Sequence, residues 1–256
     1  MNNNLIFQLK VIRFKISEAL KLYEKTGEKD NFLKECIEDL CSFILNEKNY
    51  MDFILSSENN LIKNLIRDIR DRAAEALGIL EKIEAKNILN EENTAFKYGD
   101  ELALAVKREI EDYKILESSK VLLIGSGAMP ITAYTIFKET AAHITCVDID
   151  SEALNLSKKV TDKLGIQGVY FEGDIEAVEI EKFSHIIIAS LVQKKCELVD
   201  YVSQKINNDA KIILRYGNEI KEAFNFPLCI KEINDFTKTV IRDKSFIYDT
   251  LLLERM

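Results

Sequence analysis

The stretch that most constrains this chain is Lys120–Glu139, KVLLIGSGAMPITAYTIFKE. Four apolar residues, Val121–Ile124, run directly into Gly125-Ser126-Gly127, and residues that favour helix follow. A buried parallel strand that turns sharply into a helix reads this way. Gly125 permits the tight turn, and Gly127 lets backbone approach a ligand where a side chain would intrude. The third position of the usual dinucleotide fingerprint holds Pro130, preceded by Met129, in place of Gly or Ala. Proline is at home in the first turn of a helix, where its missing N–H costs nothing. The turn is nucleotide-binding in style without being a standard NAD loop.

What surrounds the turn divides into two kinds of sequence. The first 118 residues hold no proline and only three glycines, Gly27, Gly78 and Gly99. With apolar residues at three- and four-residue spacing, they predict a helical bundle with helices near 5–25, 31–47, 59–88 and 94–113. In the third, Ile62, Leu65, Ile69, Ala73, Ala76, Leu80 and Ile83 form one core-facing stripe. Gly27 is placed to stop the first helix, and Thr94 to cap the last. From Val121 onward, apolar strands alternate with helical segments at 130–141, 151–164 and 194–206. The strands fall at 121–124, 144–147, 168–171, 185–189 and 210–214, with one more in 246–253 and another expected within 227–236. The expectation is an N-terminal α-helical domain over 1–118, then an α/β, doubly wound, mostly parallel Rossmann-like domain over 119–256.

Charge and cysteine usage narrow the partners. Forty-three acidic against 35 basic residues give a net charge of −8, which argues against nucleic acid. No run approaches a membrane span, and the N-terminal stretch reads as an amphipathic helix, not a signal peptide. Five scattered cysteines with no CxxC pair fit buried thiols in a reducing cytoplasm and no structural zinc.

Ligands in such sheets bind at the carboxyl ends of the strands. Asp148, followed by Ile149, lies about 20 residues after Gly127, where an acid accepts from ribose hydroxyls. Asp174, followed by Ile175, closes the third strand and can accept from an adenine amine. Ser190 ends the fourth and borders the same edge, whereas Asp150 reads as a helix cap. His143 and His185 begin strands, at the wrong end for catalysis. An adenosine site with no pyrophosphate explains why the third glycine can be Pro130. S-adenosyl-L-methionine (SAM) meets that description, and VLLIGSG…VDID…EGD resembles the motifs of class I methyltransferases.

A more specific resemblance follows from Gly-Ser-Gly-Ala-Met-Pro-Ile-Thr, which is similar to the GSGPMPLT-type loop of nicotianamine synthases. VDIDSEALNLSKKVTDKLGIQGVYFEGD resembles that family's second and third strands, and Ile212–Arg215 with Phe224–Pro227 resembles its RxxxGxRxxLYP segment. Glu219 and Lys221 depart from it, standing where the family has Gly and Arg. The resemblance implies that SAM is consumed as an aminobutanoyl donor, leaving methylthioadenosine. It places Glu81 as the base, Tyr98 as an orienting group and Arg215 as a carboxylate clamp. From periodicity alone, Glu81 and the neighbouring candidate Glu84 read as solvated, Tyr98 as packing, and Arg215 as a partner for a structural acid. The compact length suggests the staphylopine-type opine metallophore enzymes, whose acceptor is histidine, expected as D-histidine. A homodimer is compatible with the sequence. A conventional small-molecule methyltransferase and a non-catalytic SAM sensor are the alternatives.

Overall fold

The computed structural model describes residues 3–27, 31–92, 97–228 and 235–256; Thr94 and Cys229 lie outside them. Five helices come first: α1 (Asn3–Thr26), α2 (Asn31–Ile44), α3 (Glu47–Ile54), α4 (Asn60–Leu89) and α5 (Lys97–Tyr113). α1 stops as expected, with Gly27 at φ +61° and its N–H donating to the Tyr23 carbonyl at 2.8 Å. The single helix expected over 31–47 ends early. Asn46 turns extended and accepts from the Asn49 N–H, which caps the additional helix α3.

The second half builds a seven-stranded sheet from β1 (Lys120–Ile124), β2 (His143–Val147), β3 (Val169–Glu172), β4 (His185–Ile188), β5 (Lys211–Tyr216), β6 (Phe236–Ile241) and β7 (Asp249–Arg255). Helices α6 (Ile131–Thr140), α7 (Ser151–Lys163) and α8 (Lys195–Ser203) connect them. The order is β3-β2-β1-β4-β5-β7-β6. The first five strands pair in parallel, and β7 runs antiparallel to both β5 and β6. Most of the span 227–236, where another strand was expected, lies outside the described residues; β6 begins at its last residue, Phe236, and the last strand is displaced toward the C-terminus. Both belong to an antiparallel hairpin, where exposed Thr237–Val240 on the edge strand weaken the apolar signal.

Register decides what the sheet presents. Ile124 is level with Val147 on one side and Ile188 on the other, and Ile188 is level with Leu214. The next residues along, Gly125, Asp148, Ala189 and Arg215, therefore stand in one row at the carboxyl edge. Above that edge runs α4, 30 residues or about 45 Å long, packed on α7 near one end and on the 219–223 turn near the other. Six of its seven stripe residues are buried, Ile83 being only partly covered. The helical core also takes in Ile220, Ala223, Phe224, Ile247 and Tyr248 from the sheet half. Among the described residues, no helix is long and apolar enough to cross a membrane. Cys36, Cys41 and Cys146 are buried free thiols. Cys196 is disulfide-bonded, a departure from the expectation of thiols throughout.

Candidate active site

The glycine turn has the conformation its sequence requires. Gly125 and Gly127 adopt φ +81° and +69°, and the Gly125 N–H donates to the Val147 carbonyl at 2.8 Å. A Cβ on Gly125 would lie 2.5 Å from Val192 Cγ2, and one on Gly127 would overlap Glu81 Oε2. Pro130 occupies the N-cap of α6, one place before the first helical residue, at φ −78°. That is one step earlier than the first-turn position expected. Its carbonyl still accepts from the Tyr134 N–H at 2.7 Å.

Asp148 folds back on the turn. Its Oδ2 accepts from the Gly127 N–H at 2.8 Å, and its Oδ1 from the Asp150 N–H at 3.0 Å. A carboxylate has about four lone-pair sites, so capacity for ribose hydroxyls remains. Ile149 beside it is 99% exposed, an apolar side chain with open space around it. Ser126 Oγ is buried without a hydrogen-bond partner, as suits a group that meets a ligand. Met129 packs with Ala85, Ala128 and Leu156 between the turn, α4 and α7. Ser190 is buried, and its carbonyl accepts from Lys195 Nζ at 2.6 Å and the Phe226 N–H at 3.1 Å. Asp174 is exposed at the rim; it accepts from the Glu176 N–H at 2.9 Å and starts the short turn Ile175–Ala177. Asp150 caps α7 as expected.

α4 brings Glu81 onto the same turn. The Ala128 N–H donates to Glu81 Oε2 at 3.2 Å. Burial pushes this carboxyl up to about 8, with the Asp148 charge adding to the rise and the Ala128 and Met129 amides opposing it. Glu84, one turn along, is buried facing α2 and meets Lys34 at 3.5 Å. Neither glutamate is the solvated residue that helix periodicity suggested, because both faces of α4 are covered here. Lys82 pairs with Asp150 at 2.7 Å and Glu152 at 2.9 Å, and Lys86 with Glu152 at 3.2 Å, fastening this end of α4 to α7.

Tyr98 is buried on α5 with its ring 5.6 Å from that of Phe224. Burial, then the nearby Glu81, raises its hydroxyl above the usual tyrosine range, so it stays a neutral donor. Arg215 goes elsewhere. Its Nε and Nη2 donate to Glu109 at 2.9 and 2.6 Å, its Nη1 donates to Thr132 Oγ1 at 3.0 Å, and its plane lies 5.2 Å from the Tyr248 ring. Burial opposes its charge, but Glu109 outweighs that and holds its pKa above the ordinary value. A guanidinium so fully engaged inside the protein is a structural ion pair, and the clamp expected from the resemblance is corrected accordingly.

The two departures in the neighbouring segment are accommodated. Glu219 keeps φ +55°, a conformation glycine adopts without steric cost. Lys221 Nζ is buried against Asp249 Oδ1 at 2.5 Å. Glu109 and Lys195 are among the buried charged residues that escaped the sequence reading. Glu109 could have been found, since Tyr98, Ala105 and Glu109 share one helix face at spacings of seven and four. Lys195 could not, because nothing in LVQKKCE separates it from a surface lysine. Burial, then the Arg70 charge, brings Lys195 down to about 7. Among the described residues, no group of three or more His, Cys, Asp or Glu is placed to hold a metal ion.

The sequence profile of the nicotianamine synthase protein family matches residues 101–245, more than half of the chain. The chain belongs to the nicotianamine synthase family. This family member is 32% identical over 202 residues to the L-histidine 2-aminobutanoyltransferase of Pseudomonas aeruginosa, a match covering 78% of this chain and 77% of the relative. It is 28% identical over 211 residues to the protein of the same name in Yersinia pestis, covering 81% and 80%. Solved structures of MtNAS share its fold at 17% identity. One, in complex with MTA and tNA, has a TM-score of 0.82 and covers 97% of each chain. Another, a variant in complex with S-adenosylmethionine, has a TM-score of 0.78 and covers 98% of this chain and 97% of that one.

Proposed function

We propose that this nicotianamine synthase family member transfers the 2-aminobutanoyl (3-amino-3-carboxypropyl) group of SAM to the amine of histidine and releases methylthioadenosine. Family membership makes the chain a SAM-dependent aminobutanoyltransferase; the acceptor and the residue roles are the proposal. One observation carries the roles: α4 sets the Glu81 carboxyl on the glycine turn, against Ala128 and beside Asp148.

Gly125, Ser126, Gly127, Met129 and Pro130 would cradle the adenosine and methionyl portions. Asp148 would accept from ribose, Ile149 would cover the base, and Asp174, Ile175 and Ser190 would border the pocket. The acceptor nitrogen uses its lone pair to form a bond to the methionyl Cγ. The Cγ–S bond breaks, its electrons neutralise the sulfonium, and Glu81 takes the proton released from nitrogen. Tyr98, kept neutral, orients the amine or its carboxylate by donating from its hydroxyl. Much of the acceleration is assigned to positioning, because the leaving group is already activated.

Histidine is supported by the names of the relatives, which specify the L-form; we take L-histidine, in place of the D-form implied by the staphylopine-type resemblance. The product would carry imidazole, amines and carboxylates, the donor set of a metallophore for divalent cations. The test is incubation with SAM and separate L- and D-amino acids, followed by mass spectrometry of both products. Methylthioadenosine with an L-histidine adduct is expected. S-adenosylhomocysteine would mean methyl transfer, and SAM binding without turnover on any acceptor would mean a sensor.

A further inference from the structure

Two carboxyl groups are hung on consecutive amides of one turn, the Gly127 N–H holding Asp148 and the Ala128 N–H holding Glu81. Among the described residues, the charged and titratable groups facing Glu81 offer it no cation. Asp148 comes from the β2–α7 connection and Tyr98 from α5, while the turn itself contributes none. Beyond Tyr98, Arg215 of β5 is committed to Glu109. On α4 itself, Lys82 and Lys86 are committed to Asp150 and Glu152 of α7, and Glu84 faces Lys34 of α2. Among the described residues Glu81 is thus an acid with no counter-charge, held beside a second acid. A carboxyl in that position holds its proton at neutral pH, and a protonated acid cannot serve as a base.

We propose that Glu81 carries a proton until a sulfonium cation binds beside it, and that SAM binding therefore releases one proton to solvent and creates the catalytic base. This rests on the transfer reaction proposed above, in which Glu81 serves the nitrogen that attacks the carbon bonded to sulfur. Base and sulfonium are then near neighbours. A cation about 6 Å away, at an effective dielectric near 20, shifts a proton equilibrium by roughly a hundredfold, enough to ionise Glu81 near neutrality. The base would be armed only with its donor loaded. Once the sulfur becomes a neutral thioether, the reason for ionisation disappears, and the proton taken from the acceptor amine stays on Glu81.

Isothermal titration calorimetry of the full chain at pH 7, in buffers of different ionisation enthalpy, reads this directly. S-adenosylhomocysteine is the comparison ligand, since it keeps the adenosine and amino-acid ends but has no sulfonium. The expected result is release of nearly one proton with SAM and far fewer with S-adenosylhomocysteine. SAM affinity should also rise roughly tenfold per pH unit from pH 6 to 7, then flatten above 8. E81Q, checked for native circular dichroism, should bind SAM without the excess proton release. Because SAM's own amine also titrates, the deciding quantity is the difference between ligands that disappears in E81Q. Equal release for both ligands, or the same difference in E81Q, overturns the proposal while leaving the transfer reaction standing. No SAM binding at all overturns the transfer reaction itself.

Discussion

Glu81 and Glu109 are both covered glutamates on neighbouring helices, and they have opposite surroundings. Glu109 meets Arg215 through two short hydrogen bonds, and its charge is matched. Glu81 has backbone amides and another acid, and among the described residues its charge is unmatched. Removing two charges from water costs several kcal/mol each, which a bidentate pair offsets and a lone carboxylate does not. A matched buried charge holds a structure together. An unmatched one is retained at a cost to stability, and that cost is a reason to look for chemistry at Glu81 and not at Glu109.

The contrast can be broken from either side. The largest effect is expected for Glu81→Gln, which should lower turnover about 10²- to 10⁴-fold, as loss of general base catalysis does, with fold retained. Methylthioadenosine release in single-turnover mixing measures it, and parent-rate turnover would remove Glu81 from the role of base. Next comes Arg215→Met, which leaves Glu109 buried and alone and should cost about 3–5 kcal/mol in urea unfolding. A loss below about 1 kcal/mol would mean the pair is solvated and the contrast is lost.

Glu81→Gln should also stabilise the protein, and the sign follows from the direction of the shift. The folded-state value, about 8, lies above the usual 4.5. Glu81 therefore costs nothing below pH 4.5, and its penalty grows as pH rises through the interval to 8. At pH 7 to 8 the glutamine variant should gain on the order of 2–3 kcal/mol, discounted for partial exposure, and at pH 4 it should gain nothing. Thermal melts at the two pH values would show it. A smaller effect is expected for Asp148→Asn, which weakens a charge-assisted acceptor and should loosen SAM binding by about 1.5–3 kcal/mol in calorimetry. The smallest is Tyr98→Phe. It keeps the packing on Phe224 and removes one hydroxyl, for about 1 kcal/mol in the kcat/KM of the acceptor.

The glycine turn, the parallel strands and the Asp150 cap were all legible, because each depends on residues adjacent in sequence. Gly125 and Gly127 need positive φ, and no other residue takes it as readily. The antiparallel pair β6 and β7 was less legible, since an exposed edge strand has no continuous apolar run. Helix periodicity misplaced Glu81 and Glu84 in solvent for a different reason. It sees one face packed on the bundle, and α4 is a helix with a second covered face, resting on the carboxyl edge of the sheet. The resemblance to nicotianamine synthases supplied Glu81, which no local rule would have chosen. The same resemblance pointed to Arg215 as a clamp, and there the geometry of Glu109 and Thr132 overrides it.

The way α4 is fastened fixes where Glu81 stands. At one end Lys82 and Lys86 tie it to α7, and Lys163 reaches back from α7 to the Leu89 carbonyl at 2.9 Å. Toward its other end, the helix packs on the 219–223 turn within the shared core. A beam anchored at both piers cannot swing like a door. It holds the Glu81 carboxyl against the glycine turn, so that group is positioned by the scaffold and not by a flexible loop.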